Sequence, residues 1–131
     1  MIFLRQILVG DVWAAYGKQK DEEHPCYFRD IGELTMFADY RVPQILRSMG
    51  VLRYEESLGA SIDALEMLPW GGEKEVELRA QTVVAVDMLQ QALKAKGMDL
   101  LVLECDWLLW QKGEDMKDSI LPHHRTLSIY Y

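Results

Sequence analysis

The segment EKEVELRAQTVVAVDMLQQALKAK, residues 73–96, is the longest stretch of helical periodicity in the chain and decides its fold class. Its apolar residues recur at intervals of three, four or seven positions, as on one face of an α-helix: Val76, Val83, Val86, Leu89 and Leu93. Gly97 follows the segment and can end the helix, because glycine adopts the left-handed conformation at low cost. Before the segment, Pro-Trp-Gly-Gly at residues 69–72 predicts a turn.

Helical patterns also occur on both sides of this segment. Before it, the spacing of apolar residues predicts four helices, over residues 2–16, 31–38, 44–49 and 55–68. Asp30 and Glu33 have the spacing of a capping box at the start of the second of these. After it, residues 98–110 fit a buried strand or a helix, and we favour the helix because no partner strand is evident. The tail from residue 122 should be irregular or extended, so the sequence predicts a single all-α domain over residues 1–131.

Composition restricts the classes of function. The chain has 131 residues, enough for one domain with a hydrophobic core, and its formal net charge is -7. Proteins bind duplex nucleic acid through clustered positive charge, so no direct contact with duplex nucleic acid is expected. No secretory signal or membrane span is evident, and Cys26 and Cys105 make no disulfide framework. We therefore expect a cytoplasmic protein without membrane contact.

An acid, a phenol and a guanidinium stand side by side in LTMFADYRVPQ, residues 34–44. Asp39, Tyr40 and Arg41 follow an apolar stretch, and Pro43 limits how far an incoming helix can continue. For an arbitrary sequence, the simplest interpretation is a solvated ion pair at the C-terminal end of a helix. The functional interpretation places Asp39 in a pocket that sets its pKa, with Tyr40 against a ligand.

A second acid lies within the nearly apolar run CDWLLW, residues 105–110. Burial of the Asp106 carboxylate is costly unless other groups donate hydrogen bonds to it. Asp106 is therefore either a structural acid, which caps a helix or pairs with an arginine, or a ligand-binding acid with Trp107 or Trp110 as a stacking surface. Two acids from separate elements would suit recognition of a polar heterocycle and stabilisation of a cationic transition state.

The motif PHHRT at residues 122–126 contains adjacent histidines. Neighbouring side chains point apart in helices and strands, so His123 and His124 do not form a metal site by themselves, and no metal is expected. A cationic clamp for a phosphate, formed by Arg125 and one histidine, fits this motif better.

Several motifs occur in a fixed order along the chain: LTMFADYRVPQ, then GVL with Tyr54, EVELRA, CDWLLW and PHHRTLSIYY. Together with ILVGDVWAAY at residues 7–16, they resemble the queuosine salvage protein family, the queuosine 5'-phosphate N-glycosidases, over essentially the whole chain. The resemblance implies an all-α fold related in shape to helical DNA glycosylases. It also implies hydrolysis of the N-glycosidic bond of queuosine 5'-monophosphate, which releases queuine for tRNA modification, without a metal or an organic cofactor.

The resemblance also implies roles for particular residues. Asp39 is the expected catalytic carboxylate, with Tyr40 and Asp106 in the pocket for base and sugar. The further expected substrate contacts are Phe37, Trp107, Arg41 and Arg125. Four charged residues also match motif positions: Arg41, Glu77, Arg79 and Arg125. For these, the resemblance does not distinguish ligand contacts from scaffold residues. The position 7 atom of the 7-deazaguanine base is carbon and has no lone pair, so assistance to the leaving group must come through other atoms.

Members of this family are considerably longer, and the motifs correspond to their C-terminal part. One expectation is therefore a hydrolase, whose pocket is incomplete if the N-terminal half contributes to it. The alternative is a non-catalytic helical module that binds a ligand or a partner. An apolar boundary would favour self-association or contact with the missing N-terminal half. A helical DNA glycosylase is a third interpretation, which the net charge of -7 opposes.

Overall fold

The regular secondary structure is helical in the computed structural model, which describes the backbone of residues 2–128 and the side chains from residue 5 onward. The five α-helices of this range are α1 (Ile2–Ala15), α2 (Arg41–Ser48), α3 (Glu56–Asp63), α4 (Glu73–Ala95) and α5 (Val102–Met116). Within the same range, the β-type pairing is one isolated bridge between Met67 and Arg125. The predicted all-α class is confirmed. Met1 and residues 129–131 of the predicted tail lie outside the described residues.

The core forms where α2, α4 and α5 pack on one another. Val42, Ile45 and Leu46 of α2 are fully buried, because their spacing places them on one helical face. They meet side chains from α4, α5 and the segment before α2: Val86, Cys105, Leu109, Met36 and Ala38. Full burial of one such apolar side chain contributes roughly 1.5–3 kcal/mol to stability. This packing fixes the start of α2 against α5.

The predicted helix over residues 31–38 is wrong. Only Ile31–Glu33 form a helical turn, of the 3₁₀ type, and the Asp30 side chain makes no capping hydrogen bond there. No helix continues from residue 34 to residue 39. Glycine at 32 and a β-branched residue at 35 lower the helix propensity of this stretch. An extended chain also leaves the Phe37 N–H free to donate to Asp106 of α5, which a helix would have used internally.

Other helix boundaries differ from the predicted ones for local reasons. α2 begins at Arg41 and not at residue 44, because Pro43 is its third residue, where a backbone N–H has no helical partner. α3 ends at Asp63 and not at residue 68, and Leu65 just beyond it has a positive φ of 62°. α5 confirms a helix in the ambiguous stretch 98–110, but it runs on to Met116.

Candidate active site

Asp39 is held at the N-terminal end of α2 by two backbone hydrogen bonds. Its Oδ1 accepts the N–H of Arg41 at 3.0 Å and the N–H of Val42 at 2.9 Å. This is the contact of an N-capping side chain, which satisfies N–H groups that have no partner inside the helix. The sequence suggested that Asp39 closes one helix, whereas it begins the next one. Burial raises the pKa of Asp39 above its usual value, although the two backbone bonds and the charge of Arg41 oppose that rise.

Asp106 lies in the second turn of α5 and is only 5% exposed. Its Oδ2 accepts the N–H of Phe37 at 3.1 Å, so the extended segment before α2 is bonded directly to α5. Burial raises the pKa of Asp106 to about 7; the Phe37 bond opposes the rise, and the negative charge of Asp39 adds to it. Burial therefore raises the pKa of both carboxyl groups, and the two groups interact with each other, since the charge of Asp39 contributes to the rise at Asp106.

Asp39 and Asp106 line a single cleft with a volume of about 480 Å³, together with Phe37 and Trp107. The structure thus brings together four of the residues expected at the site from separate parts of the sequence. The remaining described lining residues are Ile7 and Asp11 of α1 and Trp110 of α5. None of these described residues is a lysine or an arginine. We refer to this cleft, lined by Ile7, Asp11, Phe37, Asp39, Asp106, Trp107 and Trp110, as the carboxylate cleft.

Tyr40 and Arg125 line a different cavity, with a volume of about 300 Å³. Its wall is formed mainly by the tail, and the residues are Tyr40, Met67, His123, His124, Arg125, Thr126 and Leu127. The Tyr40 and His123 rings are tilted, with centroids 4.5 Å apart. The Leu68 N–H donates to the Arg125 carbonyl at 2.8 Å and secures the tail. We refer to this space as the tail cavity. Its lining residue Tyr40 directly follows Asp39 of the carboxylate cleft in the sequence.

His124 is the buried histidine of the tail cavity, with 2% of its surface exposed. Burial lowers its pKa to about 4, and electrostatic interactions with His123 and Arg79 act in the same direction. The His124 imidazole is therefore neutral at pH 7, and Arg125 is the arginine that lines this cavity.

Arg41, which was expected to contact substrate, lines neither of these spaces and is 7% exposed. Its Nε donates to Glu114 of α5 at 2.6 Å, and its Nη1 donates to the side-chain oxygen of Gln44. Gln44 in turn donates to the carbonyl of Leu121 at 2.8 Å. These contacts tie α2 to α5 and to the start of the tail, whereas a substrate contact of Arg41 stays a prediction.

Two further motif residues also lie outside the carboxylate cleft. Glu77 lines a cleft between α4 and the loop before α3, and Arg79 pairs with the buried Glu75 at 3.4 Å. Conversely, sequence reasoning missed Asp11 and Ile7. The available signal was the acid itself, since Asp11 interrupts an otherwise apolar run, ILVGDVW, on α1.

Within residues 2–128, no group of three or more His, Cys, Asp or Glu side chains converges in the manner of a metal site. None of the helices described has both the length and the apolar character needed to cross a membrane.

The fold and the site define a class: an all-helical protein with two desolvated carboxylates and indole side chains around one ligand-sized cleft. The sequence of residues 2–131 matches the family model described as Queuosine salvage protein. The chain belongs to that family, as the motifs indicated.

Relatives in this family carry the name "Queuosine 5'-phosphate N-glycosylase/hydrolase". The protein of that name from Dictyostelium discoideum is 46% identical over 127 residues, which cover 96% of this chain and 38% of the relative. The one from Sphaerobacter thermophilus is 43% identical over 126 residues, with 96% and 38% covered. The one from Bos taurus is 35% identical over 136 residues, with 96% and 39% covered. The chain thus spans about two fifths of the length of these relatives.

The raised pKa of Asp106 leads to a prediction about stability. The folded protein binds the Asp106 proton more tightly than the unfolded chain, whose carboxyl has the ordinary pKa of 3.8. The resulting stabilisation is complete below about pH 4 and is lost as the pH rises through about 7. This interval corresponds to at most roughly 4 kcal/mol. Asp106→Asn keeps an acceptor for Phe37 and carries no charge, so it should not suffer this loss.

Urea unfolding of both proteins at intervals from pH 4 to pH 8 measures the effect. The free energy of unfolding of Asp106→Asn, minus that of the natural protein, should rise between about pH 4 and pH 7 and then level off. The pKa of Asp39 is raised as well, but Asp39 is present in both proteins and does not by itself create a difference between them. A difference that stays constant across the range would contradict a buried, protonated Asp106.

Proposed function

We propose that this chain hydrolyses the N-glycosidic bond of queuosine 5'-phosphate and releases queuine. The observation that carries the proposal is the pairing, in one cleft, of the N-capping carboxylate Asp39 with the buried Asp106, whose pKa is raised to about 7. Glycosidic hydrolysis commonly uses two carboxyl groups with unequal pKa values. The substrate is inferred from the names of the relatives in the family.

Asp39 is proposed as the catalytic carboxylate. Cleavage develops positive charge at C1' of the ribose, and a fixed carboxylate beside that atom stabilises the charge without having to reorganise. The water oxygen bonds to C1' while the bond from C1' to the base nitrogen breaks, and its electron pair goes to the base. Asp39 accepts the proton that the water loses. The products are queuine and ribose 5-phosphate.

Asp106 is proposed to assist the departure of the base. With a pKa of about 7, it carries a proton in an appreciable fraction of molecules at neutral pH, as a general acid requires. Position 7 of the base is carbon, so the proton must be directed to another acceptor atom of the heterocycle. Trp107, one residue further along α5, provides an aromatic surface for the planar ring in the same cleft.

The tail cavity is proposed to bind the 5'-phosphate. It contains Arg125 and His123 next to Tyr40, and Arg125 supplies a cation of the type that the carboxylate cleft lacks. An arginine donates two parallel hydrogen bonds to a phosphate, and a phenol can donate a third. The order along the chain supports this division, since Asp39 lines one space and Tyr40 the next.

Incubation of the purified chain with queuosine 5'-monophosphate tests the proposal, with queuine measured by reverse-phase chromatography. Release above the buffer background is expected. The unphosphorylated nucleoside should react with a kcat/KM lower by about 10- to 100-fold, because it lacks a charge-assisted contact worth roughly 1.5–3 kcal/mol. Circular dichroism confirms that the sample is folded. Binding of queuine in calorimetry without any release would identify a non-catalytic module instead, and absence of both would refute either role.

A further inference from the structure

The carboxylate cleft contains a third acid that the proposed hydrolysis does not use. Asp11 projects from α1, whereas Asp106 belongs to α5 and Asp39 caps α2. Asp11 is exposed, and within the described part of the chain its carboxylate has neither a hydrogen bond nor an ion pair. Its charge is therefore available to a ligand in the cleft.

The lining of the cleft favours a cationic group on the ligand. No lysine or arginine is among the described residues that surround it, and three of those residues are acids. Trp107 and Trp110 stand beside these acids, and indole faces attract organic cations through the ring quadrupole. Carboxylates and tryptophans together recognise an alkylammonium group, whereas an anionic group in the same place would be repelled.

We propose that Asp11 binds the secondary ammonium group of the substrate's base and thereby selects this base over a plain deazaguanine. The inference rests on the proposed function, from which it takes the substrate. Queuine carries an aminomethyl group at position 7, linked to a cyclopentenediol, and its aliphatic secondary amine is protonated at neutral pH. This substituent and the sugar leave the five-membered ring from different atoms. With the sugar at Asp39, the substituent would face another part of the cleft, and α1 provides an acid there in Asp11.

The decisive comparison uses two free bases, because base binding requires no catalysis. Queuine and 7-deazaguanine differ only in the position 7 substituent, and calorimetry gives the Kd of each for the natural protein and for Asp11→Asn. We expect Asp11→Asn to weaken queuine binding by about tenfold or more, since a charge-assisted contact is lost. Binding of 7-deazaguanine should change by less than about twofold, because that base does not reach Asp11.

Asp118→Asn is the matched control. It removes the same charge from another exposed aspartate, which lies beyond the C-terminal end of α5, itself roughly 15 Å from Asp106 along the helix. It should alter neither Kd. Equal losses for the two bases in Asp11→Asn, or no loss for queuine, would overturn the role of Asp11.

Hydrolysis assays separate this inference from the proposed function. If the natural chain binds queuine with the predicted dependence on Asp11 but releases none from the nucleotide, the recognition role stands and the catalytic proposal fails. If it hydrolyses the nucleotide and Asp11→Asn retains the full preference for queuine over 7-deazaguanine, the catalytic proposal stands and the role of Asp11 fails.

Discussion

Asp39→Asn should lower the kcat of queuine release by about 1,000-fold or more while leaving the fold intact. Loss of a preorganised group that stabilises transition-state charge costs about 10²–10³ in rate, and loss of a general base about 10²–10⁴. The amide oxygen of asparagine can still accept the N–H groups of Arg41 and Val42, and asparagine is as good an N-cap as aspartate. Rates measured by chromatography, together with urea unfolding, test both halves of this expectation.

Asp39→Ala separates catalysis from capping. Alanine removes both the charge and the acceptor, so its rate should fall as far as that of the asparagine variant. Its free energy of unfolding should fall by about 1 kcal/mol, the usual cost of losing an N-cap, whereas Asp39→Asn should lose none. Full activity in Asp39→Asn would contradict the catalytic role. Equal destabilisation of the two variants would contradict the capping role.

Gly113→Ala should lower the free energy of unfolding by about 1–3 kcal/mol, the usual range for overpacking a filled interior. A Cβ at this position of α5 would lie 2.7 Å from Cγ and 2.8 Å from Cδ of Arg41. The Arg41 stem cannot retreat easily, because its guanidinium is bonded to Glu114 and Gln44. The collision would push the start of α2 away from α5, and with it Asp39 from Asp106, so hydrolysis should also decline. Urea unfolding measures the first effect.

Gly10→Ala is the matched control for this substitution. Gly10 is also a buried glycine within a helix, but a Cβ there would meet the Phe37 ring at 3.5 Å, an ordinary van der Waals contact. Alanine favours helix over glycine by up to about 1 kcal/mol, so this variant should be as stable as the natural protein or more so. Arg41→Ala should cost less free energy of unfolding in the Gly113→Ala protein than in the natural protein, because there it also removes the collision. Similar losses in both glycine variants would refute the collision.

The candidate site could be anticipated only in part. Resemblance in sequence placed Phe37, Asp39, Asp106 and Trp107 in one site, and they do line one cleft. The resemblance did not distinguish Arg41 from these residues. In the structure Arg41 does not line the cleft and is bonded to Glu114, 73 positions away. A motif records that residues occur together, but it does not record which way each side chain faces. Asp11 interrupts an apolar run on α1, but a single acid does not show which other elements of the chain its side chain will meet.

The sequence by itself determined the helices that depend on interactions between nearby residues. The periodicity of α4 and the glycine that follows it defined that helix to within one residue of its observed end. Residues 31–38 show the limit of such reasoning, because their apolar spacing also fits a helix. Tertiary structure decided their extended form, through the hydrogen bond from the Phe37 N–H to Asp106, 69 positions away. The fold also buries the Asp106 carboxyl, which raises its pKa to about 7 although the Phe37 bond opposes the rise. Local sequence thus determined most of the helices, whereas the pairing of the two carboxylates depended on contacts that exist only in the folded chain.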